Sequence, residues 1–361
     1  MLKPYVARAP GKVMLFGEYA VLDNCIAIVA AVERRAKCAV TLGPERTEIA
    51  APGLTEQLAH VGRHSPSGDP LAFVQGLLDR WPAPSAGRFT TDSSALYSQA
   101  EGIKLGLGSS AAVSVALAGA LAAAGGAGQL VSGQRSEERN IRRIIFERVH
   151  GAHRAVQGSG SGADVAASVM GGVIIYRLRT IHEASTDLNA WAAWRTVVDE
   201  MYCWAGHTQW LEETPLMMVW TGQSASTKVL VPQIKRWAQQ NPEGWRLRRA
   251  GIEAAARAGQ GALFNADRSA LVEAVRMGAE AITALGQDAE VPLIIPAHES
   301  ISYIAEAHGA AAKPTGAAGG DMSWVLPRYA ADLAPLKSAY EAAGWHVEVL
   351  PICPAGLSVS L

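Results

Sequence analysis

The stretch "LGLGSSAAVSVALAGALAAA" (105–124) constrains this chain more than any other segment. No charged residue occurs from Leu105 through Gln134. Such a run invites the reading of a membrane span. However, Gly106, Gly108, Ser109 and Ser110 open it, and Gly125, Gly126 and Gly128 close it. The apolar middle, from Ala111 to Ala124, falls short of the roughly 20 residues that a spanning helix needs. The expectation is a helix buried in a soluble core, entered through very flexible backbone.

That entrance has a chemical use. A helix N-terminus leaves N–H groups unpaired and carries partial positive charge. Glycines just before it let an anion approach those donors. Ser109 and Ser110 add hydroxyls able to bind phosphate oxygens or a magnesium ion. Taken alone, the segment reads equally as an ordinary glycine turn capped by serine. It is not the G-x-x-x-x-G-K-[ST] loop, and it lacks that loop's lysine.

The chain has 361 residues, enough for two domains or one large one. Its 32 basic and 33 acidic residues give a net charge of −1, which argues against nucleic acid or a membrane surface as partner. Cys25, Cys38, Cys203 and Cys353 are scattered with no CxxC pair, the pattern of reduced, mostly buried thiols in a cytoplasmic protein. The opening "MLKPYVARAPGK" has no uninterrupted apolar stretch, so no secretory signal is expected.

Strand-like alternation fills residues 1–50, and 53–70 reads as loop. Helical spacing marks "PLAFVQGLLDRW", "SEERNIRRIIFERVHGAHRAVQ", "EGWRLRRAGIEAAARAGQGALFN", "RSALVEAVRMGAEAITALG" and "DLAPLKSAYEAAG". "GRFTTDSSALY", "TPLMMVWTG" and "WHVEVLPI" read as strand or extended segments. Strands and helices mix throughout, which predicts an α+β architecture in two halves. The boundary is expected at about 180–215, dividing the chain into 1–185 and 186–361.

Two further glycine-rich runs hold candidate chemistry. "GSGSGADVAAS" contains a single carboxylate, Asp164; its neighbours alone favour a helix cap over a base for a hydroxyl nucleophile. "KPTGAAGGD" (Lys313–Asp321) reads alone as a flexible connector. In "APGKVMLFGEYAVL", Lys12 follows a Pro-Gly turn, where a lysine can steer a phosphoryl group or simply sit in solvent. His150 and His153 have HxxH spacing, but no Cys/His cluster accompanies them, so zinc is not expected. Lys104, Arg148 and Arg154 are candidate cations for a phosphorylated acceptor, although the arginines also fit a charged helix face. The tryptophans read as core residues rather than adenine platforms.

Together and in order, "APGKVMLFGEYAVL", "KLGLGSSAAV" and "KPTGAAGGDMSWVL" resemble the three motifs of the GHMP kinase superfamily. The resemblance runs from Ala9 to about Val325, and within the superfamily it looks most like the phosphomevalonate kinases. It implies an N-terminal domain like ribosomal protein S5 domain 2 and a ferredoxin-like C-terminal domain. It implies ATP-dependent phosphoryl transfer to a small acceptor, phosphomevalonate or a related alcohol; the sequence leaves monomer and homodimer both open. Carried over, Lys12 and Asp164 would be the catalytic pair. Lys104, Gly106, Leu107, Gly108, Ser109, Ser110 and Ala111 would bind ATP, with Ser109 and Ser110 also serving Mg²⁺. Tyr19, Ser161, Thr315, Gly316 and Ala317 would lie near the acceptor.

Three departures stand out. Ala318 replaces a glycine of the third motif, where a methyl restricts φ. Met322 stands where Cys often follows the aspartate. His153 stands eleven residues before Asp164, where mevalonate kinases carry a metal-binding Glu, which weighs against a mevalonate kinase. Mevalonate kinase or another small-alcohol kinase, a related decarboxylase and a catalytically silent nucleotide-binding regulator are the competing readings.

Overall fold

A computed structural model of the chain describes residues 5–43, 48–50, 58–60, 72–78, 81, 87–98, 105–125, 135–157, 160–178, 202–203 and 215–360. Lys104, Trp191, Trp194, Trp204 and Trp210 lie outside them.

Apolar alternation makes β1 (Tyr5–Phe16) and β2 (Ile26–Leu42) a long antiparallel pair. Their register shifts between Pro10 and Gly11. Before the shift, Ala7 and Ala9 point into one core; after it, Val13 and Leu15 point into another. Side chains alternate strictly along a strand, so the irregularity has turned the odd positions over. Lys12 therefore shares a face with Met14, which packs against the first core.

β3 (Glu48–Ala50), β4 (Leu58–His60), β5 (Gly87–Asp92), β6 (Val173–Arg177), β7 (Tyr202–Cys203) and a final strand (Ser358–Ser360) complete an eight-stranded sheet. Strand β4 corrects part of the loop expected over 53–70. The second half of β2 pairs with β5 and its first half with β6, leaving its other edge to β1. Helices α1 (Ala72–Leu78), α2 (Ser109–Ala124), α3 (Arg135–Gln157) and α4 (Ala163–Met170) contribute to the first core with one face of this sheet. Helix α2 is buried at every position from Ala111 to Ala124. That matches its composition, apolar on all sides.

The second sheet comprises β8 (Leu216–Trp220), β9 (Ala311–Pro314), β10 (Met322–Leu326) and β11 (Val347–Leu350), in the antiparallel order β11-β8-β10-β9. Four helices separate β8 from β9: α5 (Thr227–Gln240), α6 (Pro242–Phe264), α7 (Arg268–Ala289) and α8 (Pro296–Ala307). Helix α9 (Leu333–Ala342) joins β10 to β11. This is the ferredoxin-like strand order, enlarged by extra helices in its first crossover. Asn241 and Asp267 cap α6 and α7 by accepting from the Gly244 and Ala270 N–H groups at 3.1 and 2.9 Å.

One face of the second sheet packs Met217, Val219 and Val325 against Ile301, Leu336 and Tyr340. The opposite face places Met218, Met322 and Trp324 in a core shared with Val13, Leu15 and Ile28 of the first sheet. Phe16 meets Trp324 edge to face, with centroids 5.8 Å apart. Both sheets thus wall one core. Sheet membership does not follow a single cut in the chain. Residues 202–203 pair with β6, and the final strand, β12, pairs Val6 with Ser360 in the first sheet. Among the described residues, no helix is long and apolar enough to cross a membrane.

Candidate active site

The loop before α2 is anchored by buried Leu105 and Leu107 on either side of Gly106. Gly106 (φ +67°) and Gly108 (φ +71°) take the left-handed conformation that glycine adopts without steric cost. Gly108 is the N-cap of α2; no side chain caps the helix, and its first turn holds no acid. The first bond back into the helix runs from the Ala112 N–H to the Gly108 carbonyl. The amides of Ser109, Ser110 and Ala111 form the helix nose before it, with the Ser110 side chain exposed. This arrangement suits an anion.

The first glycine-rich segment is fastened to this loop. The Lys12 N–H donates to the Leu107 carbonyl at 2.9 Å, and Lys12 Nζ reaches the Gly106 carbonyl at 3.5 Å. The lysine stem passes so close to Gly108 that a Cβ there would stand 3.1 Å from Lys12 Cε. The third segment closes against both others. A Cβ on Gly106 would stand 3.3 Å from Asp321 Oδ2, and the Tyr19 hydroxyl donates to the Ala317 carbonyl at 2.5 Å. Deeper still, Lys313 pairs with Glu18. The three segments, remote in sequence, form a closed ring of contacts.

Asp164 lies in the first turn of α4, partly exposed, with Oδ1 accepting from the Val165 N–H at 2.9 Å. It is not the cap that its neighbours suggested. Gly162, at φ +74°, occupies that position, and Ser161 Oγ accepts from the Ala163 N–H at 3.3 Å. The Tyr176 hydroxyl holds the Ser161 carbonyl. Ser168, one turn after Asp164, donates to the Pro10 carbonyl at 2.8 Å, tying α4 to β1 two residues from Lys12.

Two buried histidines support this corner. His150 lies under Gly162, where a Cβ would come within 2.9 Å of Nε2, and that nitrogen is 3.3 Å from the Gly160 carbonyl. His153 Nε2 is 3.2 Å from Ser114 Oγ, and the ring also hydrogen-bonds the Ser110 backbone. Burial lowers the pKa of both, against the opposing pull of the Asp164 carboxylate. His153 therefore links the nose of α2 to the surroundings of Asp164. Among the described residues, no group of three or more His, Cys, Asp or Glu could hold a metal ion. The oxygen donors at the helix nose are the hydroxyls of Ser109 and Ser110. They fit magnesium, which keeps several waters and takes substrate phosphates as ligands.

In the third loop, both the N–H and the hydroxyl of Thr315 donate to the Met322 carbonyl at 3.1 Å, closing the turn between β9 and β10. Gly316 takes φ +66°. Ala318 is left-handed too, at φ +57°, despite its methyl. That conformation costs a non-glycine residue about 1 kcal/mol. Tyr19, itself at φ +62°, also lines an open cavity of about 310 Å³ with Asp23, Ile234, Lys235 and Trp245.

Of the candidate cations, Arg148 lies over the Trp81 ring, 4.5 Å from its centroid. Arg154 is exposed in the last turn of α3, its charge felt by His150 and Tyr176. The sequence reading missed the Glu18–Lys313 pair, the approach of Asp321 to Gly106 and the link made by His153. Glu18, Lys313 and Asp321 all stand inside the quoted motifs, but nothing in their spacing says which pairs meet.

No family model matches the chain. A phosphomevalonate kinase of Streptomyces sp. (strain CL190) is 29% identical, over 97% of each chain. A mevalonate kinase of Thermococcus onnurineus is 28% identical over 66% of this chain and 64% of its own length. Among solved structures, Streptococcus pneumoniae phosphomevalonate kinase in complex with phosphomevalonate and AMPPNP superposes with a TM-score of 0.69. It is 18% identical and covers 95% of this chain and 99% of its own.

Proposed function

We infer that this chain, which has the GHMP kinase fold and full-length similarity to a phosphomevalonate kinase, is an ATP-dependent small-molecule kinase of the mevalonate pathway. The acceptor we propose is 5-phosphomevalonate, and the product 5-diphosphomevalonate. One observation carries this reading: Gly106–Ala111, at the nose of a buried helix, is held directly against Lys12.

The amides and hydroxyls of residues 106–111 receive the triphosphate of ATP. Lys12 neutralises charge where the two phosphates approach each other. Asp164 accepts or orients the proton of the acceptor oxygen. That oxygen attacks the γ-phosphorus, the bond from the γ-phosphorus to the bridging oxygen breaks, and ADP leaves. Phosphoryl transfer needs mainly positioning and charge stabilisation, so this small set suffices. Ser109 and Ser110 would hold magnesium, which supplies further neutralisation of phosphate charge. Tyr19, Ser161 and the loop Thr315–Ala317 border the acceptor. Arg154, whose charge is felt by His150 and Tyr176, is the cation we propose for the acceptor's own phosphate. The free, buried thiols of Cys25, Cys38 and Cys353 suit a reducing compartment, and we assign the enzyme to the cytoplasm on that ground.

A coupled ADP-release assay over phosphomevalonate, mevalonate, homoserine and galactose tests the acceptor. Phosphomevalonate should give the highest kcat/KM. A preference for mevalonate would transfer the assignment to mevalonate kinase, against the substitution of His153 for that family's glutamate. ATP binding without ADP release on any acceptor would favour a regulator. Asp164→Asn should lower kcat roughly 10²- to 10⁴-fold, the usual contribution of a positioned proton acceptor, with ATP affinity little changed.

A further inference from the structure

The chemistry above leaves one buried ion pair unused. Glu18 follows the end of β1, and Lys313 belongs to β9 of the second sheet. Their side chains are 3% and 0% exposed. Lys313 Nζ donates to Glu18 and, at 2.8 Å, to the Pro314 carbonyl. Its stem passes Gly278, where a Cβ would stand 3.1 Å from Cε, and its ammonium is 5.9 Å from the Phe16 ring centroid. Burial raises the Glu18 pKa, and the Lys313 charge opposes that rise, as does the more distant Lys12. Such a pair is a poor source of stability. The cost of desolvating two charges offsets their attraction, and apolar side chains of similar volume do as well or better.

The location of the pair suggests another use. The residue after Glu18 is Tyr19, whose hydroxyl holds the Ala317 carbonyl. The residues after Lys313 begin the loop that carries Thr315, Ala317 and Asp321, and Asp321 faces Gly106. The pair and the Tyr19 bond thus fasten the first loop to the third at two points.

We propose that Glu18 and Lys313 are a positioning couple that holds Tyr19 and the third glycine-rich loop against Lys12 and the phosphate loop, setting acceptor placement more than nucleotide affinity. The proposal rests on the kinase reading of this site. Its test is the double variant Glu18→Leu with Lys313→Met, which replaces both buried charges by apolar side chains of similar volume. The double variant should melt at or above the wild-type temperature. Its acceptor KM should rise about tenfold or more while its ATP KM stays within about twofold, because misplacement penalises the reacting partner. Hydrogen exchange in the ligand-free variant should speed up at 315–321 and remain unchanged at 105–112. Wild-type acceptor KM together with wild-type exchange in the third loop would overturn the proposal. So would a parallel rise of both KM values with faster exchange throughout, which is the mark of a general structural role. The exchange readout needs no substrate. A wild-type chain that releases no ADP would therefore defeat the kinase reading without deciding the fate of the couple.

Discussion

Gly108 cannot carry a side chain without cost, for two separate reasons. Its φ of +71° disfavours any L-residue, and an added methyl would press on the Lys12 stem. Gly108→Ala should cost about 1 kcal/mol in backbone strain, and it should also displace Lys12. Calorimetry should show weakened ATP binding, with far-UV circular dichroism unchanged. Ser168→Ala removes the buried hydroxyl's bond to the Pro10 carbonyl, a loss of about 1 kcal/mol visible in urea titrations. At this scale the sequence was legible where chemistry is local. Lys12 and Asp164 stood out because few other charges occur in those runs. The cap suggested for Asp164 falls instead on Gly162, two residues earlier, which leaves Asp164 inside the first turn of the helix. Nothing in the sequence pairs Glu18 with Lys313, because contact across 295 positions leaves no periodic trace.

Among the elements, β1 shows how a small irregularity decides function. The register shift at Pro10/Gly11 turns Lys12 toward the helix-covered face of the sheet. Alternation in the sequence continues through that point, so the reversal could not be read from pattern alone. Long amphipathic helices were legible from their period. The final strand was not, since three residues at the chain end carry little pattern and their partners are near the other end. Helix α8 carries a pH prediction. His298 in its first turn is 2% exposed, and burial lowers its pKa to about 4 from an unfolded value of 6.5. Between those values only the unfolded chain holds the proton, so stability is full above pH 6.5 and falls as pH drops toward 4. His298 alone should account for about 2 kcal/mol lost between pH 7 and pH 5, and the lowered pKa values of His150 and His153 act in the same direction. Urea unfolding at the two pH values checks this, with His298→Gln expected to flatten the dependence.

For the whole molecule, the two sheets share one core through Phe16, Trp324 and their neighbours. Tryptophan fluorescence and far-UV circular dichroism should therefore report a single coincident unfolding transition. Gly259→Val should lower its midpoint, since a Cβ there would stand 2.7 Å from Phe16 Cε2 and overpacking of this kind costs about 1–3 kcal/mol. The α+β class was legible in the sequence, but the return of the chain end to the first sheet was not. The proposed chemistry requires the phosphate loop, Lys12 and Asp164 to form one site. A crystal structure with a non-hydrolysable ATP analogue tests that most directly. The triphosphate should lie against the amides of Gly106–Ala111, with its γ-phosphate within reach of Lys12 Nζ and facing Asp164. A nucleotide seated elsewhere, such as the cavity beside Tyr19 and Trp245, would contradict it.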